Sequence, residues 1–90
     1  MGTSNFQTVV IVNPRSANGK IGRRWSTIEE IVHAEFHGRF DVVFTEEPLH
    51  AMTLTREHLE RGYNLVVAVG GDGLVNEVVN GFFERGKNHR

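Results

Sequence analysis

One run of residues limits the possible folds of this chain more than any other. The apolar segment Leu65–Val69 is rich in β-branched residues, stops at the turn Gly70–Gly73, and is followed at once by apolar residues at helical spacing. A buried strand that leads into a helix through a glycine loop is a common way to hold a phosphate. The glycines let the backbone approach the ligand, and the helix presents free N–H groups. Asp72 in the loop would repel an anion unless a metal ion, a hydroxyl or a sugar lies between them.

Composition excludes several other classes of protein. A chain of 90 residues forms at most one small domain, and its formal net charge of -1 does not indicate nucleic-acid binding. The absence of cysteine excludes disulfides and thiolate metal sites. The first residues lack a signal-peptide pattern, and the longest apolar runs are too short to cross a bilayer. We therefore expect a cytoplasmic protein with no nucleic-acid partner.

Strand and helix patterns alternate along the chain. Short β-rich segments predict three strands, at Thr8–Val12, Phe40–Phe44 and Asn64–Val69. Helical spacing predicts three helices, at about Gly22–Phe36, from Pro48 to a stop at Gly62, and at Leu74–Arg85. In the third helix, the expected apolar side comprises Leu74, Val75, Val78, Val79, Phe82 and Phe83.

This alternation predicts an α/β fold with three layers, helices on both faces of a short parallel sheet. A strand order of 2-1-3 would place the loops Asn13–Lys20 and Gly70–Gly73 side by side at the carboxyl edge of the sheet. Ligands of open α/β sheets bind at such a reversal of strand order. We therefore expect the two loops to form one site.

Each candidate element of that site also has a plainer interpretation. The Gly70–Gly73 loop matches neither the P-loop spacing nor G-x-G-x-x-G, and could be a tight turn alone. The loop Asn13–Lys20 offers amide, hydroxyl and basic groups, but could be only polar. Thr45 could contact a nucleotide or cap a helix, and Glu77 could bind a metal or complement a helix dipole.

Three motifs together resemble the diacylglycerol kinase catalytic domain family, which also includes sphingosine and ceramide kinases. The motifs are V-V-I-V-N-P-R-S-A-N-G-K at Val9–Lys20, F-T-E at Phe44–Glu46 followed by His50-Ala51, and V-G-G-D-G-L-V-N-E-V-V-N-G at Val69–Gly81. They occur in the family's order and spacing and cover nearly the whole chain. NAD kinases share the G-G-D-G core but not its N-E-V-x-N-G continuation.

The resemblance implies a kinase that transfers the γ-phosphoryl group of ATP to the hydroxyl of diacylglycerol or a related lipid, with magnesium as the metal ion. It assigns the base to a second domain, leaves the catalytic residues of this chain unknown, and implies a fold of the diacylglycerol kinase and NAD kinase type. The positions that it assigns to nucleotide binding are Asn13, Pro14, Arg15, Ser16, Ala17, Thr45, Gly70, Gly71, Asp72, Gly73, Leu74 and Asn76.

Two positions depart from the family pattern. Leu74 stands where the family usually has a threonine after G-G-D-G, and Ala17 stands where N-P-x-S-G has its glycine. If the missing hydroxyl weakens phosphate binding, Leu74→Thr should tighten ATP binding. If Leu74 instead packs in the core, no gain should follow.

In this family a second domain supplies the lipid cleft and the base. Residues 1–90 therefore correspond to the N-terminal part of the nucleotide-binding domain, which implies that the lipid substrate and any peripheral membrane contact depend on the second domain. We expect this chain alone to be inactive and to self-associate through an open edge of the third strand. The alternatives are a non-catalytic nucleotide-binding or assembly module, and a fragment of an NAD kinase.

Overall fold

A computed structural model describes residues 7–87 of the chain, with side chains described as far as residue 83. Strands and helices alternate along these residues. In chain order they are β1 (Thr8–Val12), α1 (Lys20–Arg23), α2 (Trp25–Phe36), β2 (Asp41–Phe44), α3 (His50–Glu60), β3 (Leu65–Val69) and α4 (Asp72–Lys87).

The three strands form one parallel sheet in the order β2-β1-β3, as the sequence predicts. All five residues of the central strand β1 are buried. An apolar strand without alternation is expected when helices cover both faces of a sheet. The order puts the carboxyl ends of β1 and β3 next to each other, with Val12 paired to Val69.

Helices cover the two faces of the sheet, which confirms the three-layer α/β/α arrangement. On one face, Val9 and Ile11 pack with Ala51 of α3 and with Leu74 and Val78 of α4. The other face buries a second cluster against α2. Its members are Val10, Val12 and Val32, together with the partly buried Ile21, Trp25, Ile28, Phe36, Phe40, Val42, Val67 and Val69.

The first predicted helix differs from expectation because it is interrupted. Helical structure begins at Lys20 and breaks at Arg24, which has φ -106° and ψ 13°. The short helix α1 folds back on the preceding loop, where the Gly22 N–H donates to the Pro14 carbonyl oxygen at 2.9 Å. That hydrogen bond ties α1 to the loop, whereas α2 packs on the sheet.

The prediction that all the apolar residues of the last helix lie on its buried side was wrong. Helix α4 starts two residues earlier than predicted, at Asp72, and buries Leu74 and Val78. Four other apolar side chains are 42–66% exposed, namely Val75, Val79, Phe82 and Phe83. A close helix crossing explains this orientation, because a Cβ added to Gly81 would lie 2.7 Å from Thr55 Cβ of α3. Because of this contact, the face of α4 that carries Leu74, Val78 and Gly81 packs toward the core.

The second helix also begins later than Pro48 suggests. Its first residue is His50, and Leu49 before it adopts a left-handed conformation with φ 68°. Pro48 therefore lies in the turn that precedes α3.

Strand β3 lies at one end of the sheet and, within the described residues, pairs only with β1. Its outer edge thus carries unpaired backbone groups, as the sequence predicts. No helix among residues 7–87 combines the length and apolar character needed to cross a membrane.

Candidate functional site

The two loops that the sequence places at one site do meet. The Gly71 N–H donates a hydrogen bond to the Ser16 hydroxyl oxygen at 3.2 Å. Directly beneath, the Asn13 N–H donates to the Val69 carbonyl oxygen at 3.0 Å, which continues the pairing of β1 with β3. The site therefore lies at the carboxyl edge, where the strand order reverses.

The loop after β1 is shaped largely by its own hydrogen bonds. The Asn13 carboxamide oxygen accepts from the Arg15 N–H at 3.0 Å, a local turn typical of asparagine. Ala17, Asn18 and Gly19 then follow with φ of 56°, 58° and 85°. A positive φ strains alanine, and glycine would hold it without cost. This accounts physically for the glycine that the family pattern has at the position of Ala17.

The glycines of the second loop have different surroundings. A Cβ on Gly70 would lie 2.6 Å from Leu74 Cδ2 and 3.1 Å from Ser16 Oγ, so this position requires glycine for close packing. A Cβ on Gly71 or Gly73 would meet nothing within 4 Å. The structure thus leaves open space beside Gly71, where an anion could approach the backbone.

Three further predicted residues lie at the start of α4. Leu74 is only 4% exposed, and its side chain belongs to the core cluster on the α3 and α4 face. Asn76 is exposed, and Asp72 is an exposed acid in the first turn of α4, where it complements the helix dipole. The burial of Leu74 favours the second of its two sequence interpretations, in which a threonine brings no gain in binding.

A cavity of about 160 Å³ opens between the loop after β1, the loop after β2 and α4. Its lining residues are Asn13, Arg15, Thr45, Glu46, Glu47, Pro48, Leu74 and Glu77. Three of these residues carry a carboxylate and one carries a guanidinium. Because carboxylates repel phosphates and accept hydrogen bonds, the cavity suits a group that offers hydroxyl or amino donors.

The loop after β2 forms one wall of this cavity, and hydrogen bonds hold its first two residues in place. At its start, the Thr45 N–H donates to the Val12 carbonyl oxygen at 2.8 Å. Further on, the Glu46 N–H donates to His50 Nδ1 at 3.0 Å, so this ring nitrogen acts as an acceptor. Thr45 is half-buried and adjoins the carboxyl edge, as the sequence predicts.

Glu77 has a contact that the sequence did not reveal. Its Oε2 accepts from the Leu49 N–H at 3.1 Å, and its Oε1 accepts from the Ala51 N–H at 3.2 Å. The carboxylate therefore complements the first turn of α3 and not the start of its own helix. In the sequence, the one signal for this role is a glutamate that lies one helical turn beyond the glycine loop. Its partner could not be predicted, because sequence spacing does not show how two helices pack.

Metal ligands are sparse around the site. Within the described residues, no group of three or more histidine, cysteine, aspartate or glutamate side chains could hold a metal ion. Mg²⁺ often binds through one or two carboxylates together with substrate phosphates and water. The exposed Asp72 in the glycine loop fits that donor set.

Comparison with known proteins agrees with this geometry. The family model of the diacylglycerol kinase catalytic domain matches residues 7–90. The chain belongs to this family. Sphingoid long chain base kinase 4 of Schizosaccharomyces pombe is 35% identical over 86% of this chain and 17% of the relative. Human sphingosine kinase 1 is 34% identical over 88% of this chain and 21% of the relative.

A solved structure shows the same fold. A protein of Bacillus anthracis, described as a candidate diacylglycerol kinase, superposes with a TM-score of 0.72 at 28% identity. The match covers 87% of this chain and 28% of the other. This chain thus spans about a fifth of the length of the curated relatives that it matches. It spans about a quarter of the length of the solved structure.

Proposed function

We propose that this chain binds ATP at the carboxyl edge of its sheet and forms the nucleotide-binding part of a lipid kinase. In the proposed reaction, the γ-phosphoryl group passes from ATP to the hydroxyl of a lipid such as diacylglycerol or a sphingoid base. Membership in the family supports this activity, and the names of the relatives supply the lipid class.

The observation that carries the proposal is the open backbone at Gly71. Its N–H has one acceptor, the Ser16 hydroxyl, and no atom lies within 4 Å of the position of a Cβ. A phosphate oxygen is a stronger acceptor than a hydroxyl and could take this N–H, which would release Ser16 to donate to the same phosphate. The exposed cations Arg15, Lys20 and Arg23 belong to the neighbouring loop and helix and would add favourable charge.

The remaining part of ATP fits the cavity beside Thr45. The carboxylates of Glu46 and Glu47 would repel the phosphates and accept hydrogen bonds from ribose hydroxyls or the adenine amino group. We therefore place the phosphates beside the backbone N–H of Gly71 and the nucleoside between Asn13 and Thr45.

Magnesium would be held by Asp72 and the phosphates, and when bound it would neutralise charge that develops during transfer. The chain's own residues orient the phosphates but leave them facing water, because all four residues Gly70–Gly73 are exposed. Electrostatic stabilisation of a transition state is strong only where water is excluded. We therefore expect the 90-residue polypeptide by itself to transfer no phosphate.

The test compares two glycines that differ in their proposed contact with ATP. Gly71→Ala should weaken ATP binding by more than about tenfold, or ~1.4 kcal/mol, because the added methyl group crowds the phosphate at the N–H. Gly73→Ala is the matched control, since a Cβ there also meets no protein atom within 4 Å. Isothermal titration calorimetry measures both, and equal ATP affinity of the wild type and Gly71→Ala would contradict the phosphate position.

A second candidate function is an assembly module, and two exposed features favour it. The outer edge of β3 is unpaired among the described residues, and α4 exposes the apolar side chains Val75, Val79 and Phe82. We propose that the 90-residue polypeptide self-associates through these features. Light scattering beside an assay with labelled ATP and mixed lipid acceptors tests both proposals. Magnesium-dependent labelling of lipid by a monomer would contradict both expectations.

A further inference from the structure

Helix α3 begins without a side-chain cap from the residue that precedes it. The residue before it, Leu49, has φ 68° and supplies no side-chain hydrogen bond, and the first turn contains no acidic residue. The first N–H groups of any helix lack partners within the helix and need acceptors from elsewhere.

The N–H groups of His50 and Met52 donate to the backbone carbonyl oxygens of Glu47 and Leu49. Glu77 of α4 supplies the acceptors for Leu49 and Ala51, from 28 and 26 positions further along the chain. Each carboxylate oxygen takes one N–H, from Leu49 at 3.1 Å and from Ala51 at 3.2 Å. Glu77 is half-buried. Hydrogen bonds to an ionised carboxylate at a helix N-terminus are stronger than neutral ones, and partial burial reduces their competition with water.

We propose that Glu77 is a positioning residue of the ATP site, an inference that rests on the proposed function. Its two hydrogen bonds hold the loop after β2, which carries Thr45, against the helix that begins at the glycine loop with Asp72. Glu77 thereby sets the separation between the proposed nucleoside side of the site and its phosphate side.

The surroundings favour this role over the two roles that the sequence allows. Both carboxylate oxygens of Glu77 are already occupied by N–H groups, and no cluster of three metal-ligating side chains is found in residues 7–83. Glu77 also lies beyond the first turn of α4, where it would complement the dipole of its own helix only weakly.

Two kinds of measurement on Glu77→Gln test the inference, with Glu30→Gln as the control. Glu30 is an exposed glutamate of α2 with no side-chain hydrogen bond in the described part of the chain, so its substitution removes the same charge. The first measurement is amide hydrogen exchange by NMR. Glutamine has one acceptor oxygen and an amide group that cannot accept from the second N–H. Exchange at Leu49 and Ala51 should become about tenfold faster, while Val10 in β1 keeps its rate.

The second measurement is the binding of ATP and of inorganic tripolyphosphate. Glu77→Gln should weaken ATP binding by about tenfold and change tripolyphosphate binding by less than about twofold, because the glycine loop itself is intact. Thr45→Val removes the hydroxyl of Thr45, and its effect on ATP binding should shrink in the Glu77→Gln background. A purely structural role would weaken both ligands equally and leave the two substitutions additive.

The outcomes separate this inference from the proposed function. Failure of the wild type to bind ATP would overturn the proposed function, and the exchange rates of Leu49 and Ala51 would still decide whether Glu77 holds the loop. Unchanged exchange would overturn the inference. So would ATP binding by Glu77→Gln at the strength of the wild type, or an equal loss of ATP and tripolyphosphate binding.

Discussion

The amino edge of the sheet is joined by side chains that reach between strands, whereas the carboxyl edge is spanned by loops. At the amino edge, the Tyr63 hydroxyl donates to Asp41 Oδ2 at 2.5 Å, and the Gln7 N–H donates to Asn64 Oδ1 at 2.9 Å. Among the described residues, Ala17, Asn18 and Leu49 hold positive φ at the carboxyl edge although none is glycine, and His37 is the one such residue on the amino side. Strained residues of this kind collect at functional sites. Three of these four residues therefore lie at the carboxyl edge, where we propose that a ligand binds.

The largest expected effect is at Leu74, which joins the carboxyl edge to the core. Leu74→Thr should lower the free energy of unfolding by about 2–4 kcal/mol, because it leaves a cavity and buries a hydroxyl. Urea denaturation measures the loss. Val75→Thr is the control, since Val75 is 46% exposed and should change stability by less than about 0.5 kcal/mol. Tighter ATP binding by Leu74→Thr would instead place that residue beside the phosphates.

Substitutions of Gly70 and Gly73 test whether a side chain is tolerated equally at both positions of the glycine loop. Gly70→Ala should cost about 1–3 kcal/mol of stability, because its Cβ would lie 2.6 Å from Leu74 Cδ2. Gly73→Ala should instead add about 0.5–1 kcal/mol, since alanine favours the first turn of α4 and its Cβ meets nothing. Thermal unfolding separates the two substitutions. Equal effects would mean that the packing difference between these glycines has no energetic consequence.

Tyr63 tests the contribution of the amino edge. The hydrogen bond to Asp41, with smaller effects of burial and the Asp41 charge, raises the pKa of Tyr63 above its usual value of 10.0. The stability that this shift contributes is therefore complete below about pH 10 and is lost as the pH rises through the higher folded value. Tyr63→Phe should cost about 0.5–1.5 kcal/mol at neutral pH and leave ATP affinity unchanged. Weaker ATP binding by Tyr63→Phe would show that the two edges are coupled.

The smallest effect on stability is expected at Ala17, where the substitution should stabilise the protein. Ala17→Gly should raise stability by about 0.5–1 kcal/mol, because glycine holds φ 56° without the strain of a Cβ. Differential scanning calorimetry detects such a shift. A loss would mean that the entropy of the more flexible unfolded chain outweighs the relief of strain.

Much of the fold could be predicted from local patterns. The apolar segment Thr8–Val12 shows its burial directly, and the alternation of strands and helices implies the parallel order. Local patterns also predicted that Ser16 and Gly71 would lie together, since both follow strands that end at the same edge. These features depend on the spacing of apolar residues and on the order of strands and helices, and both can be read from the sequence.

Features set by helix packing could not be predicted in the same way. The spacing of Val75 and Val79 fits a buried face as well as that of Leu74 and Val78 does, and only the close contact of Gly81 with Thr55 selects between them. The pairing of Glu77 with the start of α3 follows from the same crossing. Such choices depend on distances between elements far apart in sequence.

The central position of β1 has a consequence for the time course of folding. Among the three described strands, the most deeply buried one, β1, comes before its neighbour β3 in the chain. A long segment separates them, since Gln7 next to β1 and Asn64 next to β3 are 57 positions apart. Contacts of such long sequence separation form slowly, because a long loop must close first. Until β3 emerges from the ribosome, β1 presents apolar surface with one edge unpaired, which is the interval in which aggregation competes with folding.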